Sequence, residues 1–126
     1  MSVTGPVVEI RPKTSLVQTP VAKTADYAVL AADVNKIFTN TGASGTVKFT
    51  LPAVAEWPGK PIRFKVLAAQ IVQVAPASGE KIYLDGDGVA SKYVSLAATA
   101  GNVVSVFNNG TSVEVQEHVG VVRKEA

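Results

Sequence analysis

Apolar and polar positions alternate along this chain in short bursts. Over residues 46–51, Val47, Phe49 and Leu51 fall on one face of an extended segment and Thr46, Lys48 and Thr50 on the other. A period of two predicts a half-buried β-strand, and Pro52 ends it because it has no amide hydrogen to donate. Residues 62–67 repeat the pattern, with Ile62, Phe64 and Val66 inward and Arg63 and Lys65 outward. Shorter apolar runs at 27–30, 36–40, 71–74, 81–84, 93–96, 103–107 and 112–117 predict further strands, with a last one at 119–122. Between them the punctuation is regular. Ala31-Ala32-Asp33 reads as a turn or one helical turn, and residues 41–45 as a loop holding Gly42 and Gly45. Asn109-Gly110 lies between two alternating runs and predicts a hairpin, since both residues tolerate the positive torsions of a tight turn. No stretch has the periodicity of a three-turn amphipathic helix, and no internal repeat of fixed period is visible.

Strands at this spacing predict an all-β domain over residues 24–122: a small antiparallel β-sandwich or barrel, jelly-roll-like. Residues 1–23 read as an extended N-terminal arm and residues 123–126 as a charged C-terminal tail. In the arm, Pro6, Pro12 and Pro20 each fix one torsion and remove a donor, which denies the segment a place in a central strand. Val7, Val8, Ile10, Leu16 and Val17 nevertheless make it apolar for a solvated tail. Two readings follow: a frayed terminus, or an arm that docks on a neighbour through those five residues.

Composition sharpens this picture. A chain of 126 residues suggests one domain, and 47% apolar against 17% charged residues excludes a disordered chain. Valine, stiff at its first side-chain torsion, supplies much of the apolar count and suits a pleated surface. The absence of cysteine excludes disulfide scaffolds, thiol catalysis and cysteine-ligated metals. The single histidine, His118, excludes a multi-histidine site within one chain. Twelve basic and ten acidic residues, spread along the chain, leave a net charge of +2 and no nucleic-acid footprint. No apolar run reaches the length of a membrane span, and the first residues lack a signal-peptide pattern, so a cytosolic product is expected.

Several motifs invite chemistry, and each has a plainer explanation. Asp85-Gly86-Asp87-Gly88 resembles the start of a calcium loop but lacks the later acid and flanking helices, and reads as a turn. Asn109-Gly110-Thr111 matches a glycosylation acceptor, yet the hairpin accounts for the same letters. The loop 42–45 lacks the lysine and the helix of a phosphate-binding loop. Glu117 and His118 are adjacent on a strand and so point to opposite faces, which does not orient a base. Glu9, Asp26, Asp33, Glu56 and Glu80 fall in loops or in the arm, without the aromatic platforms of a sugar cleft. The reading is therefore not an enzyme, with no catalytic residue, no cofactor and no metal. Trp57, within the loop at residues 56–61, is either a core residue or an anchor at an interface.

The stretch Lys23-Thr24-Ala25-Asp26-Tyr27-Ala28-Val29-Leu30-Ala31-Ala32-Asp33, followed by residues 37–52 from Ile37-Phe38-Thr39-Asn40 to Phe49-Thr50-Leu51-Pro52, resembles a module of virion proteins of tailed bacteriophages. These include head-fibre and capsid-decoration proteins and some tail-fibre segments. The shared pattern is Asp-Tyr, a small apolar strand, an Asp turn, a Phe-bearing strand, a glycine loop and a strand ending Leu-Pro. Residues 61–68, Gly79-Glu80-Lys81-Ile82 and the closing Asn-Gly hairpin continue it, so it covers about residues 23–117. The insert at 56–61 and the arm lie outside the pattern, and the family carries over no catalytic residues. The resemblance implies a structural virion protein: a capsid decoration or cement subunit, a homotrimer on the exterior of a phage head assembled in the host cytoplasm. Its partner would be the major capsid protein, with no nucleic acid and no membrane involved. The alternative is a tail-fibre or head-fibre module that recognises cell-surface glycan, for which Trp57, Tyr83 and Tyr93 are the available aromatics.

Overall fold

A computed structural model describes residues 19–57, 60–84, 87–90 and 92–124, with backbone alone at 87–90. The predicted alternation becomes strands almost wherever it occurs. In chain order these are β1 (Thr19–Ala22), β2 (Tyr27–Ala28), β3 (Lys36–Thr39), β4 (Val47–Thr50), β5 (Ile62–Lys65) and β6 (Val72–Ala75). They continue with β7 (Lys81–Leu84), β8 (Asp87–Ala90), β9 (Val94–Leu96), β10 (Val103–Asn108), β11 (Val113–Val119) and β12 (Val122–Lys124). Helical structure among the described residues is confined to single 3-10 turns at Ala31–Asp33 and Val54–Glu56. None is long and apolar enough to cross a membrane.

The strands form two sheets, ordered β1-β3-β5-β10-β11-β7-β8 and β12-β9-β6-β4-β2. Through β6 the chain alternates between them. β1, β3 and β5 run parallel in one sheet, and β2, β4 and β6 run parallel in the other. Parallel neighbours cannot be joined by a tight turn and need a long crossover. Here each crossover is a strand of the opposite sheet, so the first half winds as a flattened coil. The coils differ in length: Thr19 pairs with Lys36, but Ile37 pairs with Arg63. That irregularity is why the sequence shows no fixed repeat. The second half turns back through antiparallel pairs, including the hairpins β7–β8 and β10–β11.

The all-β sandwich agrees with the sequence reading, but strand direction does not. Five of the ten pairings among the described residues are parallel, so the sheets are mixed and the path is not the antiparallel one of a jelly roll. Alternation reports which face is buried and carries no information on direction. The domain edges also move. Residues 19–22, read as the end of the arm, form β1, and Lys23 N–H continues the pairing to Thr39 O. Pro20 is tolerated there because β1 is an edge strand. Arg123 and Lys124, read as tail, pair with Ser95 and Val94 in β12.

The core lies between the sheets. Phe38 and Phe64, paired across β3 and β5, stack at 5.7 Å, and Phe49 from β4 meets them at 5.3 and 5.1 Å. All three are essentially fully buried, each stabilising the fold by about 1.5–3 kcal/mol. Tyr27 packs on the rim of this cluster, 5.5 Å from Phe38.

Candidate functional site

The buried polar residues hold loops in place. Asn40 is fully buried: its Oδ1 accepts from Leu67 N–H (2.8 Å) and Ala68 N–H (2.9 Å), and its Nδ2 donates to Ala68 O and Gln70 O. All four bonds tie one turn to the next coil. Asn108 does the same for the insert, donating to Val54 O and Trp57 O at 2.8 Å. Asp33, also buried, accepts from Lys36 Nζ at 2.6 Å and from Tyr27 O–H and Leu30 N–H at 2.9 Å. Burial alone would raise its pKa. The Lys36 ammonium, the Leu30 amide and the Tyr27 hydroxyl outweigh burial and hold the carboxyl below its ordinary value. Burial and then the Asp33 carboxylate raise the Tyr27 pKa in turn.

Two of the other acids are also committed to the fold. Asp26 accepts from Lys48 N–H at 2.9 Å, and Glu80 receives Val54 N–H on both carboxylate oxygens. Among the described residues no cluster of three or more metal-ligating side chains forms. Asp85 and Gly86 lie outside the described residues, and Asp87 and Gly88 belong to β8 rather than to a turn. Asn109 Oδ1 accepts from Thr111 N–H and Ser112 N–H, and Gly110 has φ +98°, so those letters build the hairpin. Gly42 has φ +86° in a turn closed by Ala43 N–H to Asn40 O.

Of the predicted contact residues, Val7, Val8, Ile10, Leu16 and Val17 lie outside the described residues. Trp57 is in the core, 3% exposed, with its indole N–H donated to Lys60 O at 3.1 Å. Its side chain therefore takes the core reading and is not presented as a surface anchor.

The exposed feature is the far half of β11. β7 pairs with β11 only at Val113 and Glu114, while β10 pairs with it from Val113 to Val119. Beyond Glu114, one edge of β11 has no strand partner among the described residues. Residues 116–119 are exposed, Val119 by 62%, and the following Val121 by 50%. Beside this edge, the outer face of the sheet carries the row Arg63–Ser105–Glu117 across β5, β10 and β11. Arg63 Nη2 reaches Glu117 Oε1 at 3.4 Å, and Ser105 contacts Gln116, the extra residue of a bulge. A cavity of about 230 Å³ opens here, lined by Arg63, Val103, Ser105, Glu117, His118 and Val119. Register places His118 beside Val104, and Glu117 beside Ser105, so neighbours on β11 face opposite ways. The arrangement lacks an oriented base and nucleophile. It offers an apolar wall, an ion pair and open backbone groups, which suit contact with another chain.

Sequence reasoning missed this surface, although a signal exists. Glu114, Gln116, Glu117 and His118 put polar side chains on both faces of one strand. Beyond Val115, which still packs against the core, the strand has no continuous apolar face to be covered. A second concavity of about 370 Å³ lies on the other sheet, lined by Ile71, Ser95, Ala97, Ala98 and Arg123. No protein-family model matches the chain, and no curated protein matches it.

Proposed function

We propose that the chain is a structural virion protein, a capsid decoration subunit that binds the exterior of a phage head and stabilises it by bridging capsid proteins. The observation that carries this reading is the exposed half of β11, one edge of which has no strand partner among the described residues, with Val119 and Val121 beside it, a surface suited to protein contact. It sits on a domain whose described buried acids and amides serve the fold. The resemblance of residues 23–52 to a module of phage virion proteins supports the reading from a second side; in the fold these residues form the coil from β2 to β4 that frames the aromatic core. The partner proposed is the major capsid protein, and the assembly a homotrimer. Closed symmetry covers strand edges without open-ended growth. The glycan-binding alternative is less well supported: Trp57 is buried, and Tyr83 and Tyr93 are half-buried. Imaging phage heads with and without this gene tests the proposal. Density missing from the outer head surface of the deletion is expected, and identical heads would refute it.

A further inference from the structure

Sheet edges invite pairing with other chains, and proteins guard them with prolines, charges or short length. The described edges of this sandwich follow that rule. β1 carries Pro20, β2 is two residues long, β8 opens with Asp87-Gly88, and β12 carries Arg123 and Lys124. Residues 115–119 of β11 carry no proline, and their one charged side chain, Glu117, is turned to Arg63 across the sheet face, yet β7 leaves them uncovered. Beside them lies the cavity whose apolar wall is Val103 and Val119. An open edge with an adjoining pocket is the geometry of strand addition, in which backbone bonds give affinity and pockets select side chains.

We propose that residues 7–11 of one copy add as a strand to the open edge at residues 115–119 of β11 in a second copy. The arm segment Val7-Val8-Glu9-Ile10-Arg11 places Val8 and Ile10 on one face of an extended strand, suited to the Val103/Val119 pocket. Charge agrees in sign. The exposed residues 116–119 carry one carboxylate and no lysine or arginine, and that carboxylate, Glu117, is held only loosely by Arg63 at 3.4 Å. The arm brings Arg11 and Lys13 against a single Glu9.

Reach decides between copies. β1 and an added strand beyond β11 are five strand spacings apart, about 24 Å at ~4.8 Å each. From Thr19 back to Arg11 the chain spans at most about 29 Å when fully extended. The arm would have to cross its own sheet almost fully extended, with only about 5 Å left to turn onto the edge. The edge of a neighbouring copy carries no such restriction. Head-to-tail exchange of this kind closes into a ring under cyclic symmetry.

The inference rests on reading the chain as a subunit of an assembly, and cross-linking in solution separates the two. The chain has no cysteine, so single substitutions report cleanly. An isotope-labelled Val8→Cys form is mixed with unlabelled Glu117→Cys, His118→Cys or Val119→Cys forms, oxidised, and read by mass spectrometry. Exposed Thr99→Cys, in a loop following β9, is the control. We expect disulfides between labelled position 8 and unlabelled positions 117–119, at least about tenfold above the control, because pairing raises local concentration. Equal yields at position 99 would overturn the proposal. So would a Val8→Cys/Val119→Cys double variant that links only within its own chain. Because no phage particle is present, a failed cross-link removes the arm exchange and leaves attachment to the head to be judged by particle binding.

Discussion

At the scale of single residues, two positions concentrate the consequences of the fold. Gly120 joins β11 to the crossing strand β12 at φ +85°, and a Cβ there would fall inside the Asn102 side-chain amide. Asn102 cannot simply swing away, because its Nδ2 donates to Ala97 O at 3.1 Å. Gly120→Ala combines a strained torsion with a displaced buried amide, and we expect a loss of about 2–4 kcal/mol in urea unfolding. An unchanged midpoint would contradict this account of the crossing. Asp33 gives a pH dependence. Its pKa is lower in the folded chain than in the unfolded chain. It therefore adds stability above the ordinary carboxyl range near about pH 4, and that stability is lost as pH falls through the folded value. The Asp33→Asn variant should be less stable at neutral pH, and the gap should narrow between about pH 5 and about pH 2. Parallel stability curves would show that the Lys36 and Tyr27 contacts do not favour the charged form.

At the scale of elements, the strands and turns were largely legible and their partners were not. Val47, Phe49 and Leu51 alternate in sequence and are buried in the structure, because a half-buried strand must write its face into every second residue. Asn109-Gly110 was readable for a similar reason: the turn locally needs a positive φ at Gly110 and the Asn109 side chain as acceptor for Thr111 and Ser112 N–H. The parallel pairing of β3 with β5 was not, since Phe38 meeting Phe64 depends on the path through β4 in the opposite sheet. Asn40 shows the same gap. Its four bonds reach residues 67–70, so nothing near it in sequence marks it as more than a turn residue. The boundary at β1 leads to a deletion test. Removing residues 2–18 should leave the cooperative melt of the domain in place. Removing residues 2–22 strips β1 from β3 and takes away Val21, which packs against the core. That deletion should cost about 2 kcal/mol or more. Loss of the transition in the shorter deletion would mean that the arm belongs to the core.

At the scale of the whole molecule, the described residues form a two-sheet sandwich whose β11 edge is left open beyond Glu114, the edge proposed to take the apolar arm of another copy. Under that proposal a monomer is an incomplete state. Sedimentation equilibrium at micromolar concentration should give a trimer for the full chain and a smaller species once residues 2–18 are removed. A full-length monomer would contradict the exchanged arm and the homotrimer together. The proposed function stands or falls on attachment. The most direct measurement is a titration of the full chain, and of the chain lacking residues 2–18, onto phage heads that lack this protein. The account predicts saturation at hundreds of copies per head for the full chain, and affinity weaker by at least about tenfold for the truncated one, some 1.4 kcal/mol or more. No binding, or saturation at a few copies per particle, would contradict it.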